Sequence, residues 1–261
     1  MKRNERNFNN DRYNNNNNEK KVKLEFEKSD NEIINLFQNY SKILDEDNDR
    51  RERIVKVSRD ITIASKRLIS LLHRVVFEDR NTILTQAHQD LVKVNALIGN
   101  IIKELEGQEY WKFQKSFTWG LQEYTEAISF LYFIETGQLV PVDYIHDKIK
   151  ESNNIDSLST FSLSVDDYHL GLCDLVGELM RYCTNSVTKQ KYQDCFDCCE
   201  FVRTIFTACK QIRQFRPNDS KMSMIDDSVK KIEKICFSIR IRTSEFPDKQ
   251  LKITADPDME V

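Results

Sequence analysis

Gly120-Leu121-Gln122-Glu123-Tyr124-Thr125-Glu126-Ala127-Ile128-Ser129-Phe130 is the stretch whose reading decides the fold. At 100° per residue, Trp119, Glu123, Glu126, Phe130 and Phe133 share one sector of a helix. Phe117, Leu121, Tyr124, Ile128 and Leu131 cover the opposite side. A helix apolar on two faces has to be buried among other helices, and two glutamates in its apolar sector carry a desolvation cost unless they are paired or metal-bound. Both resolutions are open at this point: ion pairs with a neighbouring helix or subunit, or a cation site.

The rest of the chain supplies those helices. With 6 Gly and 4 Pro in 261 residues and few alternating runs, the composition reads as all-α, with enough chain for a substantial core. Helical periodicity begins near Asn31. From about Asp49 to Phe77 a second helix, or a continuation, carries Ile54, Val57, Ile61, Leu68, Leu72 and Val75 as one stripe. Further helices are predicted over about 81–106, 110–136, 165–186, 192–216 and 220–242. Gly107 and Gly137 suit C-terminal caps, and Lys150 to Thr160 reads as a loop. Residues 1–28, with an asparagine run from Asn14 to Asn18, read as a disordered tail; 29–245 as the all-α domain; 246–261 as a flexible tail.

Asp174-Leu175-Val176-Gly177-Glu178-Leu179-Met180-Arg181 adds a second pair of acids, four apart on a helix. Alone it reads as a solvated face with a Glu178–Arg181 pair. If it meets Glu123 and Glu126, four carboxylates form an oxygen-only set suited to Mg²⁺ or Mn²⁺. No histidine follows a glutamate by three, which disfavours a di-iron site. Gly171 and Gly177, beside the acids, permit close approach of another helix or a ligand.

Lys56, Arg59, Lys66, Arg67 and Arg74 lie opposite the Ile54–Leu72 stripe. Such a face can track a phosphate backbone, although most such runs are simply solvated. The seven cysteines read as free thiols in a reducing compartment. Cys195-Phe196-Asp197-Cys198-Cys199 has no second ligand pair in the sequence to complete a zinc site. His73, His88, His146 and His169 are scattered. Neither a transmembrane run nor the apolar core of a secretory signal is present, so an intracellular, cytoplasmic protein is expected.

Several stretches together resemble the translin family, in its translin-associated factor X branch. They are Lys56 to Thr62, Ser65-Lys66-Arg67, Leu71 to Arg74, Gly120 to Phe130, Tyr168 to Met180, and Ile241 to Glu245. The resemblance spans about Glu46 to Pro247. It implies a seven-helix translin-like bundle that joins translin in a closed hetero-octamer. It further implies Mg²⁺-dependent endoribonuclease cleavage of single-stranded RNA, including passenger-strand removal in RNA interference and trimming of transfer-RNA leaders. The family's active carboxylates fall on Glu123, Glu126 and Asp174, with Glu178 as a fourth. The basic nuclear-import signal of the family is weak here, reduced to Lys2-Arg3 and Lys20-Lys21, so the resemblance extends only partly to a nuclear location. The alternative is a non-catalytic partner of translin, with the acids as interface ion pairs.

Overall fold

In the computed structural model, which describes residues 32–155, 158, 161–212 and 219–245, the chain is helical between short connections. The predicted tails fall outside those residues. So do the last residues, 213–216, of the helix predicted over 192–216. The chain divides into two compact units, Met1–Glu46 and Asp47–Val261. The boundary falls within α1, Glu32–Leu72, which confirms continuation rather than a separate second helix. In the first unit, Phe37 and Tyr40 meet edge to face at 6.5 Å between ring centroids. Everything below concerns the second unit.

There α1 buries Ile54, Ser58, Ile61, Ser65, Leu68 and Leu72 at alternating spacings of four and three, the geometry of one inward stripe. It tightens into a 3₁₀ turn at His73–Val76. Asp79 then caps α2, Arg80–Leu105, by accepting the Thr82 backbone N–H at 2.8 Å. Gly107 follows α2 at φ +69°.

The predicted 110–136 helix is broken. A single turn, α3 (Tyr110–Phe113), passes through 3₁₀ geometry at Gln114–Ser116 before α4, Thr118–Thr136. No Gly or Pro signals the break. Phe113 and Phe117 are both fully buried, and their packing, with Phe117 against Tyr110 and Phe161, overrides local propensity. Gly137 closes α4 at φ +70°, its N–H bonding the Phe133 carbonyl at 2.8 Å.

An unforeseen helix, α5, spans Val142–Asn153, so eight α-helices are present among the described residues rather than seven. Its signals were local: Pro141 before the first turn, Ile145 and Ile149 four apart and buried, and Asn154 at φ +53° ending it. Buried Asn95 on α2 fastens it, donating to the Lys148 carbonyl at 3.1 Å and Ser152 Oγ at 2.9 Å while accepting from Tyr124 OH at 2.7 Å. α6 (Val165–Thr188), α7 (Tyr192–Gln211) and α8 (Asp219–Glu245) complete the bundle and pack on one another. Among the described residues, no helix is long and apolar enough to cross a membrane.

The contact that matters most for function is α4 against α6. Thr118 donates to Asp167, as does Gln122 at 3.0 Å, at the start of α6. Farther along, Tyr182 meets Phe130 and Phe133 edge to face. The two helices therefore run in the same direction, in register. Between these points, a Cβ on Gly171 would sit 2.7 Å from Thr125 Cβ and 2.8 Å from the Gln122 carbonyl oxygen. Gly171 thus marks a close approach of the two backbones, whereas Gly177 has open space around it. Gly171→Ala is expected to force α6 away from α4, at a cost of about 1–3 kcal/mol in chemical denaturation. Unchanged stability would show that the helices separate freely.

Candidate active site

Beyond Gly171 on the same face of α6 come Asp174 and Glu178, and beyond Gln122 on α4 come Glu123 and Glu126. The α4–α6 register therefore brings the two acidic pairs together. Asp174 and Glu178, which look like a solvated face in sequence, are partly covered because α4 lies against that face. Trp119 behaves in the opposite way: it is 75% exposed on the first turn of α4 rather than part of the apolar sector.

Glu126 is the inner member of the group, 8% exposed. Burial pushes its carboxyl up to about 8, and the neighbouring charges of Glu123, Asp174 and Glu178 push in the same direction; Lys66 only partly offsets them. The other three acids each have a cation. Lys66 Nζ from α1 is 2.9 Å from Glu123 Oε1, and that contact raises the lysine above its ordinary value. Lys221 Nζ from α8 is 3.0 Å from Asp174 Oδ2. His73 Nε2 is 2.5 Å from Glu178 Oε2, with Arg181 at 3.7 Å from the same oxygen. The His73 contact holds Glu178 below the usual carboxylate range despite its partial burial.

His73 and Lys221 were not anticipated as site residues. His73 lies seven residues after Lys66, in the 3₁₀ turn that continues α1, a two-turn spacing visible in the sequence once one of the two is placed. The His73 ring packs at a tilt against Phe130, 4.9 Å between centroids, and its Nδ1 is buried without a hydrogen-bond partner. Lys221 carried no sequence signal, since only the packing of α8 on α6 brings it to Asp174.

The basic face of α1 divides by partner. Lys66 belongs to the acidic site. Arg74 chelates Glu78 with two contacts of 2.7 Å. Lys56, Arg59 and Arg67 are exposed, with no ion-pair partner among the described residues.

The fit of a divalent cation rests on the donor set. Four carboxylates, one of them pushed toward protonation by burial and by its neighbours' charge, are the oxygen donors that Mg²⁺ or Mn²⁺ would take, although no three of them bring ligand atoms within 4.8 Å of one another among the described residues. Lys66 contributes positive charge to the group. The large open groove between α7 and α8, about 1020 Å³ and lined by Phe196, Arg203, Glu233 and Arg240 among others, contains none of the four acids. All seven cysteines are buried free thiols; Cys195 donates to the Cys183 carbonyl at 3.5 Å and Cys236 to the Cys195 carbonyl at 3.3 Å.

Comparison with known proteins adds ancestry to this geometry. Residues 49–243 match the Translin family. The chain is 36% identical over 238 residues to Translin-associated protein X of Mus musculus, covering 84% of this chain and 82% of that protein. It is 31% identical over 230 residues to the Translin-associated protein X homolog of Schizosaccharomyces pombe, covering 85% and 94%. Among solved structures it is similar to that described as "Structure of AfC3PO - duplex RNA complex", with a TM-score of 0.60, 19% identity, and coverage of 82% of this chain and 99% of the other. At that identity the likeness concerns the fold.

Proposed function

The chain belongs to the translin family, and from that premise we propose that it is the catalytic subunit of a Mg²⁺-dependent endoribonuclease formed with translin and acting on single-stranded RNA. The observation that carries this reading is the grouping of four carboxylates around Glu126, whose proton affinity is raised by burial and then by the charge of the other three. Glu123, Glu126 and Asp174 would hold the ion. Its contribution when bound is to acidify a water and to offset charge on the phosphoryl oxygens.

The chain's own residues do the rest. Glu178, kept ionised and oriented by His73, is placed to accept a proton. Lys66, mostly exposed on a long stem, is free to leave Glu123 and pair with a phosphate instead. The likeness to an RNA-bound fold supports nucleic acid as the ligand class, with RNA-interference passenger strands and transfer-RNA leaders as the substrates suggested by the family resemblance.

A second reading draws on a specific observation as well. Glu123, Asp174 and Glu178 already lie against Lys66, Lys221 and Arg181 within the chain, as acids with a purely structural role would. The two readings separate in one assay: cleavage of a labelled single strand by the assembled complex across Mg²⁺ concentrations, with and without chelator. Cleavage that requires Mg²⁺ and vanishes in the variants described in the Discussion supports the enzyme. Cleavage indifferent to both supports the partner role.

The exposed cations give a further test. Lys56→Ala/Arg59→Ala/Arg67→Ala should weaken RNA binding and reduce the slope of log K against log salt by up to about 2, since each phosphate contact accounts for roughly 0.7 on single strands. An unchanged slope returns these residues to ordinary solvated surface.

A further inference from the structure

We propose that His169, Cys173 and Cys209 form a second, buried site for a thiophilic cation, with Zn²⁺ the best match to its donors. His169 and Cys173 stand four apart on α6 and so project from one face a turn apart. Cys209 reaches the same point from the last turns of α7. One donor atom from each lies within 4.8 Å of the other two, and all three residues are buried. Cys173 Sγ is 3.7 Å from His169 Nε2. A tetrahedral zinc, with Zn–S about 2.3 Å and Zn–N about 2.0 Å, sets sulfur and nitrogen about 3.5 Å apart. The His169–Cys173 pair therefore needs little movement to grip an ion, with Cys209 as the third protein donor and a fourth position left to water or another ligand.

The charge balance suits a dication. Two thiolates neutralise it, and the charged groups facing the cluster largely cancel. Lys221 faces His169 and Cys173 but is paired with Asp174, and Asp166 also faces His169. The more conspicuous Cys195-Cys198-Cys199 run does not gather three donors so closely among the described residues. The placement has a consequence for α6. Cys173 adjoins Asp174, so a metal tie from α6 to α7 would fix the helix from behind the acidic site. The proposal concerns a site separate from the carboxylates and stands whether or not they are catalytic.

The test uses the full chain, in the assembly in which it purifies, reconstituted with Zn²⁺ under reducing conditions. X-ray absorption at the zinc edge should show a shell containing two sulfurs and at least one nitrogen, and metal analysis should find one zinc per chain. Cys173→Ala/Cys209→Ala should lose that equivalent, whereas Cys195→Ala/Cys198→Ala/Cys199→Ala should keep it. The unmutated chain's absorption spectrum answers the question even if a variant misfolds. Failure to retain zinc, a sulfur-only shell, or zinc persisting in Cys173→Ala/Cys209→Ala overturns the proposal. So does a Cys173–Cys209 disulfide in protein alkylated at the moment of lysis.

Discussion

Glu123→Gln and Asp174→Asn complexes are expected to assemble and bind RNA normally while cleaving it about 10²- to 10³-fold more slowly, the scale set by removing one preorganised electrostatic group. Each substitution keeps shape and hydrogen-bonding capacity and deletes one ligand charge. Each also frees a lysine: Lys66 is well exposed and solvated at little cost, whereas Lys221, a quarter exposed, still reaches water and costs more to release. Assembly should therefore survive. If the acids are interface or intrachain ion pairs instead, assembly should weaken and cleavage should fall only in proportion to complex lost. The deciding quantity is specific activity per assembled complex at saturating RNA, measured across Mg²⁺ concentrations. Wild-type activity in both variants would sink the catalytic assignment.

Glu126→Gln is expected to abolish cleavage to a similar degree and yet stabilise the metal-free protein at alkaline pH. The folded chain holds a proton on Glu126 until about pH 8, while the unfolded chain releases it near 4.5. The folded state therefore binds more protons between these values, and stability falls as pH rises through the interval before levelling off above it. At about 1.4 kcal/mol per pKa unit, the penalty is on the order of 5 kcal/mol well above pH 8. Glutamine carries no such penalty. Denaturation of chelator-treated wild type and variant from pH 5 to pH 9 should give curves that diverge upward through neutrality, the variant being the more stable. Mg²⁺ should return most of the lost stability to wild type and little to the variant, because a ligand of the folded state stabilises it by mass action. Parallel curves in the absence of metal would mean that Glu126 is not held against its neighbours' charge.

Helix existence and burial were legible in the residues themselves. The Ile54–Leu72 stripe and the two apolar faces around Tyr124 obey a period of 3.6, and Gly107 and Gly137 end their helices where left-handed backbone is needed. Where burial outweighed local signals, the reading went astray. The α3–α4 break depends on seating Phe113 and Phe117 in the core, and α5 is short enough that two buried isoleucines set its face. The acids were legible as pairs, because three- and four-residue spacings are local facts.

What the sequence by itself determined is therefore an all-α chain with two carboxylate pairs on helix faces, a basic face on α1, and enough of a family pattern to group it with translin relatives. Tertiary structure alone decided that the pairs meet, because this depends on α4 and α6 running parallel with Gly171 against Thr125. It also decided that burial and neighbouring charge raise the proton affinity of Glu126, that Lys66 serves Glu123 rather than open solvent, and that His73 and Lys221 attend the site. The physical reason is range. Helix periodicity and capping are settled within a turn or two, whereas electrostatics and desolvation act through space between residues that can be 105 positions apart, as His73 and Glu178 are.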